Sequence, residues 1–286
     1  MTTTLAIDIG GSKTLVALVD GMRIVDAEET ATRRGGDPVQ WCDEIAKCAR
    51  KWNGAFETAG AAVTGVIAAG RWSALNPETL DIPTGFPLAD ELAERIGKPV
   101  TCFNDAQAAA WGEHAFGAGE RRDLVFITIS TGIGCGVVIN GKLLIGRGGL
   151  GGSAGLIRLS VAPDAKPVEA LAAGRFFRAA ARHAGHDADA RSVFRASAQG
   201  ESWARAIIAQ SADAVAALLH NIQLLFDPLI IVVGGGIGLA PGYAEQLNLR
   251  LAEHPPAQRP EIRLAALGKY AGVIGAADLA QRLSKH

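Results

Sequence analysis

Residues 5–20 read LAIDIGGSKTLVALVD, and residues 124–146 read LVFITISTGIGCGVVINGKLLIG. Both begin with a strand-sized apolar run, continue through glycine and small polar residues, and return to strand-forming residues. LAIDIG (5–10) and TLVALVD (14–20) flank a Gly-Gly turn, which predicts a hairpin, and RIVDAEETATR (23–33) follows Gly21 as a third strand. A helix is expected over 38–52, where Val39, Cys42, Ile45, Ala46 and Ala49 share a face. A buried strand over 59–67, a helix over 88–97, a strand over 99–104 and a helix over 105–117, with Asp105 at its N-cap, complete the first half.

The same order then restarts. Strands are expected at 124–130, 136–139 and 142–146, with Asn140-Gly141 as a tight turn, followed by a glycine-rich stretch over 146–155. Helical patterns cover 168–185 and 201–226; a strand (229–235), a helix (241–253), a strand (261–267) and a helix (270–284) follow. This repetition predicts an α/β protein of two related domains, divided near 117–122 and near 270, with the last helix packing back on the first half.

Composition narrows the function. A length of 286 residues suits two domains of ~100–150 residues. Lys plus Arg (28) balances Asp plus Glu (29), so a large nucleic-acid footprint is not expected. The opening MTTTLAIDIGG lacks a signal-peptide pattern, and no apolar run reaches the ~20 residues of a membrane span. Cys42, Cys48, Cys102 and Cys135 form no CxxC, which points to reduced thiols and a cytoplasmic location. Glycine is in excess: 35 residues, where a usual share of ~7% would give about 20. The surplus gathers in DIGGSK (8–13), STGIGCG (130–136), GGGIG (234–238) and the stretch 146–155.

Glycine turns let backbone N–H groups approach an anion, so these clusters are candidate phosphate cradles; any one alone reads equally well as a hairpin turn. Asp8 could hold Mg²⁺ through water, and Lys13 could meet a phosphate. GVVINGKL (136–143) has Leu where a P-loop needs Ser or Thr, and GGGIGLA (234–240) is not GxGxxG. Asn104-Asp105 sits at a strand's carboxyl end, where α/β sheets place ligands. Asp105 has two readings there: a helix cap worth ~1 kcal/mol, or a base taking a hydroxyl proton as the oxygen attacks a γ-phosphoryl group.

Taken together, LAIDIGGSKT, ALNPETL, FNDAQAAAW, VFITISTGIGCGVV and VVGGGIGLAPGY resemble the ROK family of bacterial sugar kinases and repressors, and within it the N-acetylmannosamine kinases. The resemblance covers nearly the whole chain. It implies the actin-like ATPase fold: two ribonuclease-H-like domains, 1–119 with 271–286 and 120–270, closing on MgATP and a hexose. By position it implies that Asp8, Gly10, Gly11, Ser12 and Lys13 form the first phosphate motif, with Ser12 where Thr is usual. Thr131, Gly132, Gly134 and Gly136 match the second, and Gly234, Gly235 and Gly236 the adenosine-side turn. Asp105 matches the general base, and Gly65, Asn76, Asn104 and Glu169 match sugar-contacting positions. The implied reaction is phosphorylation of the sugar 6-hydroxyl by ATP, and a homodimer is the implied assembly. Family repressors carry a helix-turn-helix ahead of the kinase core; with DIGG at residue 8, none is expected.

One segment departs from the family pattern. In GGSAGLIRLSVAPDAKPVEALAAG, Ser153 and Leu156 stand where the family has Glu or His and a His that binds sugar and zinc, and the cysteine loop is missing. No zinc is therefore expected, and sugar discrimination is expected to differ, with Arg158 or the altered loop as possible substitutes for the missing group.

Overall fold

The computed structural model describes residues 3–32, 35–75 and 80–284. Strands β1 (Thr4–Ile9), β2 (Lys13–Asp20) and β3 (Arg23–Ala31) precede α1 (Pro38–Ala49) and β4 (Ala59–Val63). A hairpin of β5 (Val66–Ala68) and β6 (Arg71–Ser73), α2 (Leu88–Ile96), β7 (Val100–Asn104) and α3 (Asp105–Phe116) follow. Next come β8 (Leu124–Ile129), β9 (Ile133–Ile139), β10 (Lys142–Leu143), α4 (Glu169–Ala172), α5 (Gly174–His183), α6 (Ala190–Ala198) and α7 (Ser202–Phe226). The chain finishes with β11 (Ile230–Gly234), α8 (Gly235–Gly238), α9 (Tyr243–Leu251), β12 (Ile262–Leu264) and α10 (Ala271–Leu283). Two compact units result: residues 1–116 with 143–151 and 269–286, and residues 117–142 with 152–268.

The first unit is built on a sheet of order β3-β2-β1-β4-β7, in which β1–β2 and β2–β3 are antiparallel and β1–β4 and β4–β7 are parallel. Alternation along β1 separates its two faces. Leu5, Ile7 and Ile9 join a core with Trp41, Ile45, Trp72, Leu88 and Leu92, while Ala6 joins Ala17, Val19, Val273 and Ala277 beneath α10. The α10 face is made of small residues, so the helix lies close to the sheet. A Cβ at Gly60 in β4 would run into the Ala276 carbonyl of α10.

The second unit repeats the arrangement with the order β10-β9-β8-β11-β12, with β8–β9 antiparallel and β8–β11 and β11–β12 parallel. Its core joins Val125, Ile127, Ile129, Ile231 and Val233 to Phe177, Leu218, Leu219 and Tyr243. Asn140 (φ 53°) and Gly141 (φ 67°) are both left-handed between β9 and β10, the geometry of a type I′ hairpin.

Four expectations need correction. The single strand over 59–67 is two, because Gly65 takes φ 125° after β4 and redirects the chain into the β5–β6 hairpin. The helix over 168–185 is broken at Ala173, which is extended (ψ 179°), so that the Gly174 N–H reaches the Ser130 carbonyl at 2.7 Å. Helix α6 lay outside the expected elements, although Asp189 accepts from the Ser192 N–H at 2.9 Å as its N-cap and Val193 is buried. Residues 143–151, placed by the sequence in the second domain, group with the first unit. The cause is local: Gly149 lies against the Ile67 carbonyl, and the buried Gln107 donates to the Gly151 carbonyl at 2.8 Å.

Candidate active site

In the first unit the parallel strands β1, β4 and β7 end at one edge of the sheet, the edge where α/β sheets present ligand-binding groups. Asp8 lies near the end of β1, Thr64 directly follows β4, and Asn104 ends β7 immediately before Asp105 opens α3. The Thr64 N–H donates to the Ile9 carbonyl at 3.1 Å, which ties the ends of β1 and β4 together.

Asp105 sits in a fixed set of donors. Its Oδ1 accepts from Asn104 Nδ2 at 3.0 Å and from the Ala106 N–H at 2.8 Å; its Oδ2 accepts from the Thr64 hydroxyl at 2.9 Å. Burial, the largest influence, raises the proton affinity of this carboxylate, and the bonds from Thr64, Ala106 and Asn104 offset part of that rise. The result is a carboxylate more basic than usual with a defined orientation, as a proton acceptor near neutral pH needs.

The capping role expected of Asp105 falls to Asn104. Asn104 Oδ1 accepts from the N–H groups of Ala106 (3.0 Å) and Gln107 (3.1 Å), while its Nδ2 donates to the Gly65 carbonyl (2.9 Å) and to Asp105. Asp105 is the first helical residue, and the Asn104 amide one position before it serves open donors of the first turn. All four hydrogen-bonding positions of the Asn104 amide are thus occupied within the protein. Gly65 has a structural reason of its own: a Cβ there would lie 2.6 Å from the Ser73 carbonyl and 2.9 Å from Trp72 Nε1.

Asp8 differs from Asp105 in having no hydrogen-bond donor among the described residues. Desolvation and then the Asp105 charge raise its pKa from 3.8 to about 7, and Lys13 acts in the opposite direction. A cation held at this carboxylate would relieve both effects, so the residue fits a divalent metal bound directly or through water. The shift also makes a stability prediction. In the fold Asp8 stays protonated up to about pH 7, whereas in the unfolded chain it ionises from its ordinary value of 3.8, so stability is lost as pH rises between the two. Asp8→Asn lacks that loss. In metal- and nucleotide-free buffer its Tm is expected to exceed the wild type's by several degrees at about pH 8 and to match it at about pH 4. A Tm difference independent of pH in thermal unfolding would refute this.

The glycine clusters at 8–13 and 130–136 include the turns that join β1 to β2 and β8 to β9. In the first, Gly10 N–H bonds to the Lys13 carbonyl at 3.0 Å, and in the second, Ser130 N–H bonds to the Gly132 carbonyl at 2.9 Å. The backbone N–H groups of Gly11, Ser12, Thr131 and Gly132 have no backbone acceptor among the described residues, which leaves a pair in each turn for an anion. Lys13, expected at a phosphate, instead pairs with Glu29 on β3 at 2.8 Å. Gly134 and Gly136 lie within β9, opposite Thr128 and Phe126, so they are strand positions rather than turn positions. Gly234 closes β11, and Gly235 (φ 83°) and Gly236 open the short turn α8.

Glu169, also in the second unit, accepts from the Ile133 N–H at 2.9 Å through Oε2, and a Cβ at Gly132 would lie 2.5 Å from that oxygen. It therefore braces the β8–β9 turn. Ser153 precedes a single helical turn (Ala154–Leu156), Leu156 is half exposed, and the excursion after it closes where Arg158 bridges Pro167 and the Val168 N–H bonds to the Ile157 carbonyl. Asn76 lies outside the described residues. Among the described residues no three His, Cys, Asp or Glu side chains are grouped to hold a metal, and no helix is long and apolar enough to cross a membrane.

The repeated three-antiparallel, two-parallel sheet and the paired glycine turns agree with a whole-chain match to the ROK family model over residues 4–283. The chain belongs to the ROK family. Among its curated ROK relatives, the bifunctional enzyme NanE/NanK of Brucella melitensis is 45% identical over 276 residues, covering 96% of this chain and 53% of the relative. The chain thus spans about half the length of that protein. The N-acetylmannosamine kinase of Salmonella typhi is 38% identical over 289 residues, covering 98% of both chains. Among solved ROK structures, a glucokinase from Streptomyces griseus in complex with glucose and AMPPNP is 29% identical, covers 98% of this chain and 99% of its own, and has a TM-score of 0.79. The fold is that of the actin-like ATPases.

Alone in the sequence, the polar Thr64-Gly65 pair reads as a structural turn, yet Thr64 is a residue of the site. Its partner Asp105 is 41 residues away, and the sequence signal for it is the Thr64-Gly65 break at the end of a buried run. Gln107, two residues beyond Asp105, has no role that the sequence alone assigns: it is 1% exposed and holds the stretch 146–151 through the Gly149 and Gly151 carbonyls.

Proposed function

We propose that this ROK chain transfers the γ-phosphoryl group of ATP to the 6-hydroxyl of N-acetylmannosamine, giving N-acetylmannosamine 6-phosphate. The observation that carries the reading is Asp105: a carboxylate of raised basicity, held by three donors at the carboxyl edge of a parallel sheet. The choice of sugar draws on the similarity to the Salmonella typhi kinase over 98% of both chains, and the choice of nucleotide on AMPPNP, an ATP analogue, in the Streptomyces griseus structure.

In this reading Asp105 takes the hydroxyl proton, and each unit's glycine turn, Gly11-Ser12 in the first and Thr131-Gly132 in the second, offers its own free N–H groups to phosphate oxygens. Lys13 reaches a phosphate only by leaving Glu29, an exposed pair worth little on its own. Asp8 would hold Mg²⁺, whose charge, when bound, offsets that of the polyphosphate. Gly65 and Asn104 shape the sugar site mainly through Asp105; Glu169, which braces the β8–β9 turn, and Asn76 are further candidate sugar contacts.

The test is ADP release with MgATP and a panel of N-acetylmannosamine, N-acetylglucosamine, glucose and mannose. N-acetylmannosamine is expected to give the highest kcat/KM, with narrower discrimination than a site carrying His at position 156 would show. No sugar-stimulated release with any of the four would exclude a kinase of this class. A second reading, a sugar-binding regulator of weakened turnover, rests on Ser153 and Leu156; calorimetric sugar binding without ADP release would favour it.

A further inference from the structure

We propose that the oxygen of Asp105 which takes the sugar proton is Oδ2, and that Thr64 is the positioning residue that presents it, fixed in turn by the ring N–H of Trp72. The proposal rests on the reading of Asp105 as the base and adds which atom acts and what aims it.

The hydrogen-bond inventory distinguishes the two carboxylate oxygens. Each offers about two lone-pair positions. Oδ1 has both filled, by Asn104 Nδ2 at 3.0 Å and the Ala106 N–H at 2.8 Å. Neither donor can be withdrawn cheaply, because the same Asn104 amide caps α3 and the Ala106 N–H belongs to its first turn. Oδ2 accepts one bond, from the Thr64 hydroxyl at 2.9 Å, and keeps a position open. A proton arriving at Asp105 therefore has its place on Oδ2.

Thr64 can aim Oδ2 because its own backbone is held at both ends. Its N–H donates to the Ile9 carbonyl at 3.1 Å, and its carbonyl accepts from Trp72 Nε1 at 2.9 Å. Trp72 is wholly buried, pairs with Ile67 across the β5–β6 hairpin, and exchanges backbone bonds with Phe86 at 2.7 and 2.9 Å. Glycine at 65 is what lets the indole come this close, since a Cβ there would lie 2.9 Å from Trp72 Nε1. The β5–β6 hairpin is thus the rigid mount of the Asp105 carboxylate. In the transfer step the 6-hydroxyl oxygen forms a bond to the γ-phosphorus as its proton passes to Oδ2. The bond from that phosphorus to the β,γ-bridging oxygen breaks, and its electron pair leaves on ADP; the proton is later released to water.

Steady-state kinetics with MgATP and N-acetylmannosamine test the assignment. Thr64→Val, which keeps the shape and removes the hydroxyl, is expected to lower kcat by about 10- to 100-fold with KM for the sugar changed less than about threefold. Thr64→Ser, which keeps the donor, is expected to retain kcat within about threefold. An unchanged kcat in Thr64→Val, a loss carried by KM, or equal impairment in Thr64→Ser overturns the proposal. If Thr64→Val does not fold, Trp72→Phe replaces it: a fall in kcat of several-fold at near-constant KM is expected, and an unchanged kcat overturns the assignment. Asp105→Asn separates the two levels. Loss of turnover there with Thr64→Val fully active leaves the base in place and removes Thr64 from its role, whereas an active Asp105→Asn removes the base itself.

Discussion

Asp105→Asn is expected to lower sugar-stimulated ADP release about 10³-fold while leaving the fold and the sugar affinity close to those of the wild type. The substitution is nearly isosteric. The cap of α3 comes from Asn104 Oδ1, so the helix start does not depend on the residue changed. An amide at 105 can still accept from Thr64 or from the Ala106 N–H, but it cannot take a proton at neutral pH. Burial raises the proton affinity of the native carboxylate, so wild-type stability is lost as pH rises through that raised value, and the uncharged amide is free of the loss. The variant should therefore be inactive and at least as stable as the wild type at pH 8. A melting curve, calorimetric titration with N-acetylmannosamine and an ADP assay read the three parts separately. Turnover within tenfold of wild type would remove Asp105 from the chemistry.

The second large effect is on folding. Gly275→Ala is expected to yield no soluble folded protein, or to cost more than about 4 kcal/mol. Ordinarily a Gly→Ala change inside a helix gains ~1 kcal/mol. Here the new Cβ would collide with the Ala108 carbonyl oxygen of α3 and stand 2.8 Å from the Gly112 nitrogen. The collision is with backbone on both counts, so no rotamer can relieve it. Gly112 mirrors it: a Cβ there would lie 2.5 Å from the Ala271 carbonyl of α10. The two helices cross with their main chains touching, and the Trp111 indole bond to Asp278 at 2.7 Å fixes the register. Gly148→Ala, with open space around its Cβ, serves as the control. A Gly275→Ala protein melting within about 2 °C of wild type would refute the close crossing.

The sheets were legible in the sequence because their signal is local. Leu5, Ile7 and Ile9 against Ala6 and Asp8 is a period-two pattern that needs no knowledge of the partner strand. Asn104-Asp105 was legible for the same reason, as a polar pair at a strand–helix junction. What the local sequence does not carry depends on partners far along the chain. Nothing near Thr64 announces that its hydroxyl meets a carboxylate 41 residues later, and nothing near Ala173 announces that Gly174 must reach Ser130. The Lys13–Glu29 pair falls between these cases. Lys13 stands opposite Ala31 in the β2–β3 register, which puts Glu29 on the diagonal of the same face, so the hairpin alone was enough to find it.

The place of α10 has a consequence for how the protein comes into being. The face of the first sheet bearing Ala6, Ala17 and Gly60 is covered by residues 271–283, and those residues are synthesised after the whole of the second unit. A growing chain must therefore carry an uncovered apolar sheet face until the second unit has been made, while residues 117–142 and 152–268 already hold every strand from β8 to β12 apart from the last residue of β10. Helix α10 acts as a clasp: the sheet that presents Asp8, Thr64 and Asp105 gains its backing only after the second unit has been synthesised. An early stop that removes α10 would then leave the glycine turn at 130–132 correctly built and the proton-accepting edge unsupported.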